Sequence, residues 1–453
     1  MEKHERGLMT EGSIWKKIVF FSMPLLLGNV FQQLYNTMDF WVIGKFVHDT
    51  NAMAAVSNSG PMVGLLVSLF MGVALGAGVV IGRYYGAKSY EKCREAMQTV
   101  VAFGFLSSIL LTALGLLLTP SILRWMKTPE EVMPFSLMYF RIFFAGISTT
   151  VMYNIGTGIF NAMGDSKHPL YFLIVSSFLN IGLNILFVVY CNMNVAGVAL
   201  GTVLAQLVSA ILVYWMLCRL PEEIRFQFKG LHMNPKILKD IVVTGLPSGI
   251  QNSVVSLSNM VVQTNINVFG DVAMSGCGAY ARLEGFALLP ASSFSMALSA
   301  FVSQNVGAGK YDRVKKGTRF GAWLSVIVVE IIGIAVYSFA PSLVRIFHDD
   351  PQVVSFGVLQ ARTVVLFYCL LAFSHAMAGV LRGLGLSKVP MYTMLGFWCV
   401  LRICWNTFVA APTGNIQLVF WSYPLTWTCS TVALLSYYLY KNKKYGIARM
   451  IRC

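Results

Sequence analysis

The amino-acid sequence predicts an all-α membrane protein with twelve transmembrane helices, arranged as two six-helix bundles that are related as parallel repeats. Three observations lead to this prediction. The 453 residues are 56% hydrophobic and only 12% charged, and their mean hydropathy is +0.66, as expected of a membrane protein with many spans. Long apolar runs recur along the whole chain, and one constant shift in residue number maps several motifs of the first half onto the second.

The apolar runs define the predicted spans. A helix needs roughly 20 apolar residues to cross a bilayer, and about twelve runs of this kind end at polar, Gly/Pro or charged breaks. The predicted spans of the first half are residues 16–44, 52–81, 95–119, 134–160, 168–190 and 195–219. Those of the second half are residues 237–268, 273–303, 317–340, 355–381, 389–410 and 416–440. The first run is too long for a signal-peptide core, so we expect it to be retained.

The net charge of +15 lies mainly in the breaks between spans. Basic residues such as Arg83 and Lys88 follow the second span, whereas the loops of the opposite side carry acids such as Glu130 and Glu131. The positive-inside rule therefore predicts cytoplasmic N- and C-termini in a multi-pass protein of the cell (plasma) membrane. An even number of spans agrees, because it places both termini on the same side. Because no basic, aromatic-interleaved soluble module is visible, we expect no nucleic-acid partner.

Enzyme chemistry has little support in the sequence. The nucleotide-binding pattern GxxxxGK[ST], the zinc pattern HExxH and a convincing nucleophile constellation are all missing from it. The nine cysteines show neither metal spacing nor a disulfide framework. We therefore expect a protein that is not an enzyme, uses no cofactor and is not driven by ATP.

The internal repeat is the strongest signal of organisation. Aligning Gly86 with Gly307 gives a shift of 307 minus 86, or 221, and the same shift maps GDSKHP (Gly164 to Pro169) onto GLSKVP (Gly385 to Pro390). Two six-span copies then lie in the same orientation, an architecture that suits alternating access around a site between the halves. The predicted domains are an N-lobe at 1–219, a cytoplasmic linker at 220–236, a C-lobe at 237–440 and a basic cytoplasmic tail at 441–453.

Polar side chains inside the first-half spans predict a cation site. They share helix faces at spacings of three and four: Gln32, Tyr35 and Asp39; Asn180 and Asn184; Thr202 and Gln206; with Asn154 and Asn161 on the fourth span. An ionised acid in hydrocarbon costs at least about 2.5 kcal/mol, so Asp39 is expected to face a bundle interior or wet cavity. One carboxylate among amide and hydroxyl oxygens suits a proton or a sodium ion. Interhelical hydrogen bonding is the alternative role for the amides.

The second half offers no equivalent acid. A shift of 221 places Met260 opposite Asp39, and a shift of 223, from aligning MPLLLGN with LPSGIQN, places Val262 there. Cation coupling is therefore expected in the first half alone. Arg282 and Arg402 are expected to line the cavity of the second half, and the sequence suggests no role for Glu330.

Several motifs together resemble one known family. The opening PLLLGNVFQQLYNTMDFWVIGKF, the repeated GRYYGAKSYEK and VGAGKYDRV, and the paired GDSKHP and GLSKVP resemble the multidrug and toxic compound extrusion (MATE) family of cation-coupled antiporters. The resemblance covers nearly the whole chain. It implies secondary active efflux of organic, often cationic, compounds in exchange for inward protons or sodium ions.

The resemblance also implies roles for individual residues. The cation-coupling positions match Asp39, Asn180, Asn184 and Thr202, which would also hold Na⁺ if sodium is the coupling ion. The neighbouring cavity or substrate positions match Gln32, Tyr35 and Asn154, and a basic eighth-span position of proton-coupled relatives matches Arg282. Some members carry an acid where this chain has Asn184, and one branch carries a seventh-span acid where VVSLSNMVV has none. These departures leave the coupling ion open.

Two other functions remain alternatives. A lipid-linked saccharide flippase of the same superfamily would use the deep arginines Arg282 and Arg402 to hold pyrophosphate. A channel or receptor is disfavoured by the two-half repeat. The expected partners are small organic substrates and membrane lipids, and the expected active form is a monomer.

Overall fold

The computed structural model describes residues 7–47, 50–125 and 128–450. The last three residues of the predicted basic tail lie outside the described residues, as do the first six of the chain. Within the described ranges the backbone is almost entirely helical and contains no β-strand. The helices form twelve successive segments, and the predicted all-α, twelve-helix fold class is confirmed.

The twelve segments correspond one for one to the predicted spans. The first six are α1 (Ile14–Phe46), α2 (Thr50–Gly86), α3 (Tyr90–Trp125), α4 (Met133–Ala145 and Ile147–Ala162), α5 (Lys167–Tyr190) and α6 (Asn194–Leu217). The second six are α7 (Pro235–Asn267), α8 (Asp271–Ala287 and Leu289–Gly307), α9 (Tyr311–Arg345), α10 (Pro351–Gly383), α11 (Lys388–Thr413) and α12 (Ile416–Met450).

Length and composition support a membrane location for most segments. Among the described residues, nine segments are apolar and long enough to cross a bilayer, and α4 is a tenth when its two parts are taken together. The segment α7 is less apolar because asparagine, glutamine, serine and threonine recur along it. Its polar composition matters below, because one of its asparagines, Asn259, accepts a hydrogen bond from a buried arginine.

Packing divides the chain into two compact units. The first contains Leu27–Leu246 with the residues before Met9, and the second contains Met9–Leu26 and Pro247–Cys453. The predicted lobe boundaries differ from these units, because the start of α1 belongs to the second unit. The chain passes from one unit to the other close to Pro24 in α1 and at Pro247 in α7. Proline within a helix removes one backbone hydrogen bond, so both helices are weakened near these points.

Side chains of α8 and α9 explain why the start of α1 belongs to the second unit. They bind the backbone that precedes α1. The Gln304 Oε1 atom accepts a hydrogen bond from the Met9 N–H at 2.8 Å. Lys310 Nζ donates to the Thr10 carbonyl at 3.0 Å, and Arg313 donates to several carbonyls of the same segment.

The repeated motifs form the same turns in the two halves. Gly164 and Gly385, the glycines of GDSKHP and GLSKVP, have φ angles of +82° and +75°. In each turn the next residue donates to the carbonyl five positions earlier, at 3.0 Å and 2.8 Å respectively. Lys88 and Gly309, which the shift of 221 also pairs, have φ angles of +56° and +69° and the same backbone bond at 2.9 Å. The constant shift therefore reflects helix C-terminal turns that need a left-handed residue.

Glu330 has a structural role that the sequence did not suggest. The helix α10 contains a 3₁₀ turn at Val365–Phe367, which interrupts the regular backbone ladder. Just after this turn, the Cys369 N–H donates to Glu330 Oε2 at 2.8 Å. A backbone N–H without a partner in an apolar medium costs several kcal/mol, so Glu330 stabilises the broken helix.

The bend in α4 is accompanied by a close contact with α6 and by a hydrogen bond from another helix. The two parts of α4 meet at Gly146 with an angle of 48°. A Cβ atom on Gly146 would overlap the Val203 side chain of α6, so only glycine permits this approach. The carbonyl of Phe144, next to the bend, accepts a hydrogen bond from Thr112 Oγ1 of α3 at 3.0 Å.

Two glycines bring α2 and α7 into backbone contact within the first unit. A Cβ atom on Gly245 would lie 2.6 Å from the Gly72 carbonyl oxygen and 2.8 Å from Val73 Cα. A Cβ atom on Gly76 would meet the backbone of α7 in the same way. Small residues at such crossings are a common basis of helix association in membranes.

We expect Gly245→Ala to destabilise the protein by about 1–3 kcal/mol, because the added methyl group would overlap backbone atoms that have no room to move. The melting temperature of the purified protein in detergent should therefore fall. Gly278→Ala is the matched control, since a Cβ atom at Gly278 meets nothing within 4 Å. Equal melting temperatures for the two variants would show that the close crossing is not needed for stability.

Candidate functional site

Three helices of the first unit each contribute a pair of buried polar side chains. In every pair the two residues are four positions apart and therefore share one helix face. The pairs are Tyr35 and Asp39 on α1, Asn180 and Asn184 on α5, and Thr202 and Gln206 on α6. The structure thus places side by side the four residues that were predicted to couple a cation.

Asp39 lies at the centre of this cluster. Its side chain is 8% exposed, and its Oδ1 atom accepts a hydrogen bond from Asn184 Nδ2 at 2.5 Å. Its Oδ2 atom accepts one from Thr202 Oγ1 at 3.3 Å. Both carboxylate oxygens therefore have neutral donors, each from a different helix.

The neighbouring amides extend the network. Asn184 Nδ2 also donates to Asn180 Oδ1 at 3.2 Å, and Asn180 Nδ2 approaches Thr202 Oγ1 at 3.5 Å. The Oδ1 atom of Asn184 is buried, has no hydrogen-bond partner among the described residues and lies against Gly201 on α6. A Cβ atom at Gly201 would overlap this oxygen, so the glycine makes room for the amide.

The electrostatics of the cluster favour uptake of a positive charge. Among the residues that the structure describes, no basic side chain forms an ion pair with Asp39, whose hydrogen-bond donors are an amide and a hydroxyl. A buried carboxylate without a counter-charge is unfavourable, and a proton or a bound cation removes that penalty. The available oxygen atoms suit a hard cation. Within the described ranges no group of three or more His, Cys, Asp or Glu side chains is placed to hold a metal ion.

Not all predicted site residues join this cluster. Gln32 is exposed, although it shares the helical spacing of Tyr35 and Asp39. Asn154 donates to the Thr150 carbonyl of its own helix at 2.8 Å. Arg282 belongs to the second unit and is also exposed. The proposed roles of these three residues stay predictions.

The position equivalent to Asp39 in the second half is apolar. Val262 is 1% exposed, whereas Met260 is 53% exposed. Burial therefore favours the shift of 223 in this helix, with Val262 in the place of Asp39. The two halves share turns and helices but differ in charge at this position.

Gly201 is a residue of the site that sequence reasoning missed. The only available signal was a glycine one position before Thr202 in an otherwise apolar helix. Glycine is frequent in membrane helices, so this signal does not distinguish a packing contact beside a site from any other close helix approach.

Comparison with known proteins identifies the family. The sequence profile of the MatE family matches twice, at residues 24–186 and 247–408, which are the two halves of the chain. A probable multidrug resistance protein of Bacillus subtilis, YoeA, is 28% identical over the full length of both chains. NorM of Thermotoga maritima, also a probable multidrug resistance protein, is 27% identical over 85% of this chain and 83% of its own.

Solved structures show the same fold. An outward-facing multidrug resistance MATE transporter of the MOP superfamily superposes with a TM-score of 0.89, at 21% identity and 99% coverage of both chains. A MOP superfamily transporter from Pyrococcus furiosus also gives a TM-score of 0.89, at 20% identity over 98% of both chains. The predicted resemblance is therefore confirmed: the chain belongs to the MatE family, the multidrug and toxic compound extrusion transporters of membranes.

Proposed function

We propose that this transporter is a secondary active antiporter that exports organic, often cationic, compounds in exchange for inward protons or sodium ions. The observation that carries the proposal is the buried carboxylate of Asp39, held by Asn184 and Thr202 without a basic partner among the described residues. Such a group takes up and releases a cation as its surroundings change, which is what coupling to an ion gradient requires. Alternating exposure of this group to the two sides of the membrane then drives export.

The coupling ion is either H⁺ or Na⁺, and the same four residues would serve both. A proton would neutralise Asp39 directly. A sodium ion would need more oxygen ligands, and rotation of the Asn184 amide would turn its unpaired Oδ1 atom toward the carboxylate. Asn180 Oδ1 lies beside the Asn184 amide and Thr202 Oγ1 beside the Asp39 carboxylate, and these two oxygens would complete the set of sodium ligands.

The names of the relatives support an organic substrate. Besides the Bacillus and Thermotoga proteins, a multidrug export protein, MepA, of Staphylococcus aureus is 21% identical over 98% of both chains. We place the protein in the plasma membrane with both termini in the cytoplasm, from the distribution of basic loops. We further propose that the two predicted lobes act together in one polypeptide, as a functional monomer in contact with membrane lipids.

The lipid-linked saccharide flippase is less well supported. It needs a strongly cationic cavity to hold pyrophosphate, and Arg282 and Arg402 were its candidate residues. Of the two, only Arg402 lines the buried cavity of the second unit, and that cavity also carries Glu284. One arginine opposed by one acid gives little net positive charge for a pyrophosphate group.

We expect Asp39→Asn to abolish gradient-driven transport while leaving the protein folded, because the amide matches the carboxylate in shape but cannot bind a proton or balance a cation. The measurement is uptake of a fluorescent organic cation into inverted proteoliposomes, with a pH gradient or a sodium gradient imposed separately. Uptake driven by only one gradient names the coupling ion.

Glu330→Gln is the matched control for this experiment. Glu330 is also a partly buried acid of a membrane helix, but its structural partner is the Cys369 N–H, from which a glutamine oxygen can still accept a hydrogen bond. We expect this variant to retain transport. Full activity of Asp39→Asn, or no response of the wild type to either gradient, would contradict the proposed coupling role.

A second prediction concerns Gly201. We expect Gly201→Ala to reduce ion-driven uptake about ten-fold or more, because the added methyl group would displace the Asn184 amide from Asp39 without removing any polar group. Gly182→Ala is the control, since a Cβ atom there has open space. If Gly201→Ala transports like the control, the contact between Asn184 and Asp39 is not needed for coupling.

A further inference from the structure

The second unit contains a buried cavity that the proposed antiport cycle does not use. Its volume is about 210 Å³, and its walls come from α7, α8, α10, α11 and α12. Its lining includes the acid Glu284, the bases Arg402 and His375, and the aromatic side chains of Trp398, Tyr423 and Trp427. A buried cavity with two opposite charges and aromatic walls has the features of a ligand site.

Arg402 is a buried charge whose hydrogen-bonding capacity is only partly used. Its side chain is 1% exposed. Its Nη1 and Nη2 atoms donate to two neutral acceptors, Asn259 Oδ1 at 3.2 Å and Thr426 Oγ1 at 2.9 Å, and its Nε atom has no partner among the described residues. The guanidinium carbon lies 4.5 Å from the ring centre of Tyr423. Aromatic contact offsets only part of the cost of burying this charge, so an anionic partner would stabilise it.

Glu284 faces the same cavity but does not pair with Arg402. Its Oε1 atom accepts a hydrogen bond from Tyr280 Oη at 3.1 Å, and Tyr280 in turn contacts Tyr368 Oη at 3.0 Å. No ion pair between Glu284 and Arg402 is present in this described part of the chain, although both line one small cavity. A ligand between them can therefore contact both charges at once.

We propose that this cavity binds a small zwitterion with a flat apolar body, of which an aromatic α-amino acid is the simplest example. The ligand carboxylate binds the guanidinium group of Arg402, which keeps N–H donors that no described residue accepts. The ligand ammonium group binds Glu284. This arrangement gives each of the two charged side chains a partner of opposite charge.

The size and walls of the cavity define the rest of the ligand. At about 210 Å³ the cavity is smaller than the roughly 300–1,000 Å³ typical of sites for drug-sized molecules. Trp398, Tyr423 and Trp427 supply rings against which an aromatic group packs favourably. A single-ring amino acid fits these limits better than a large organic cation does.

The test is binding of three matched compounds to the purified full-length protein in lipid nanodiscs, measured by calorimetry. L-Phenylalanine carries both charges, phenethylamine lacks the carboxylate, and 3-phenylpropionate lacks the ammonium group. We expect L-phenylalanine to bind about ten-fold or more tightly than either analogue, because each analogue leaves one buried charge without its partner.

Two variants should change the relative affinities of the three compounds, each in favour of a different analogue. Glu284→Gln should weaken L-phenylalanine and tighten 3-phenylpropionate, because the repelling acid is gone. Arg402→Met should weaken L-phenylalanine and 3-phenylpropionate and tighten phenethylamine, because the repelling cation is gone. Retained binding of one analogue shows in each case that the variant is folded, and Glu284→Gln decides the question if Arg402→Met does not fold. Arg345→Met is the control, since Arg345 is exposed at the end of α9, a helix that contributes no wall of this cavity.

Three results would overturn the proposal. One is equal or undetectable binding of the three compounds, as expected if water alone bridges Glu284 and Arg402. Another is unchanged L-phenylalanine binding in Glu284→Gln. The last is unchanged binding in a folded Arg402→Met variant. Asp39→Asn should bind L-phenylalanine like the wild type, so failure of this site and failure of ion coupling are separate results.

Discussion

The constraint on which the structure depends is that a polar group inside a membrane must find its partner within the protein. Regular helices meet this requirement for the backbone, and the structure is built almost wholly from them. Where α10 is interrupted, another helix supplies the missing partner, as Glu330 does for the Cys369 N–H. Near the bend of α4, the Thr112 hydroxyl donates an additional hydrogen bond to the Phe144 carbonyl.

The same constraint shapes the charged sites. Asp39 is tolerated because Asn184 and Thr202 donate hydrogen bonds to it from two other helices. Arg402 is tolerated because Asn259 and Thr426 accept hydrogen bonds from it. Neither charge has a contacting counter-ion among the described residues. Both are therefore places where a bound ion or ligand of opposite charge lowers the free energy, which is a useful property in a transporter.

The two halves share a scaffold and differ in chemistry. The turns at Gly164 and Gly385 have the same backbone conformation, and the MatE profile matches each half separately. At the position of Asp39 the second half has the buried Val262 instead. The two halves therefore agree at these helix ends, where the backbone favours certain residues, and differ in the polar groups on this helix face.

The candidate site was partly predictable from local spacing. The pairs Asn180 with Asn184 and Tyr35 with Asp39 each lie on one helix face, and the structure buries both pairs. Spacing also grouped Gln32 with Asp39, yet Gln32 is exposed. Two residues on the same helix face can differ in burial, because a neighbouring helix covers only part of that face. Periodicity alone does not show where the covered part ends.

The sequence by itself determined the helical spans, the repeat and the turns, because hydropathy, a constant shift and left-handed glycines are local properties of the chain. The tertiary structure decided which polar groups meet. Asp39 contacts residues 145 and 163 positions away, and Glu330 satisfies a break 39 positions away. Such contacts depend on how helices are rotated and packed, and packing is set by many weak interactions along their whole lengths rather than by any one motif.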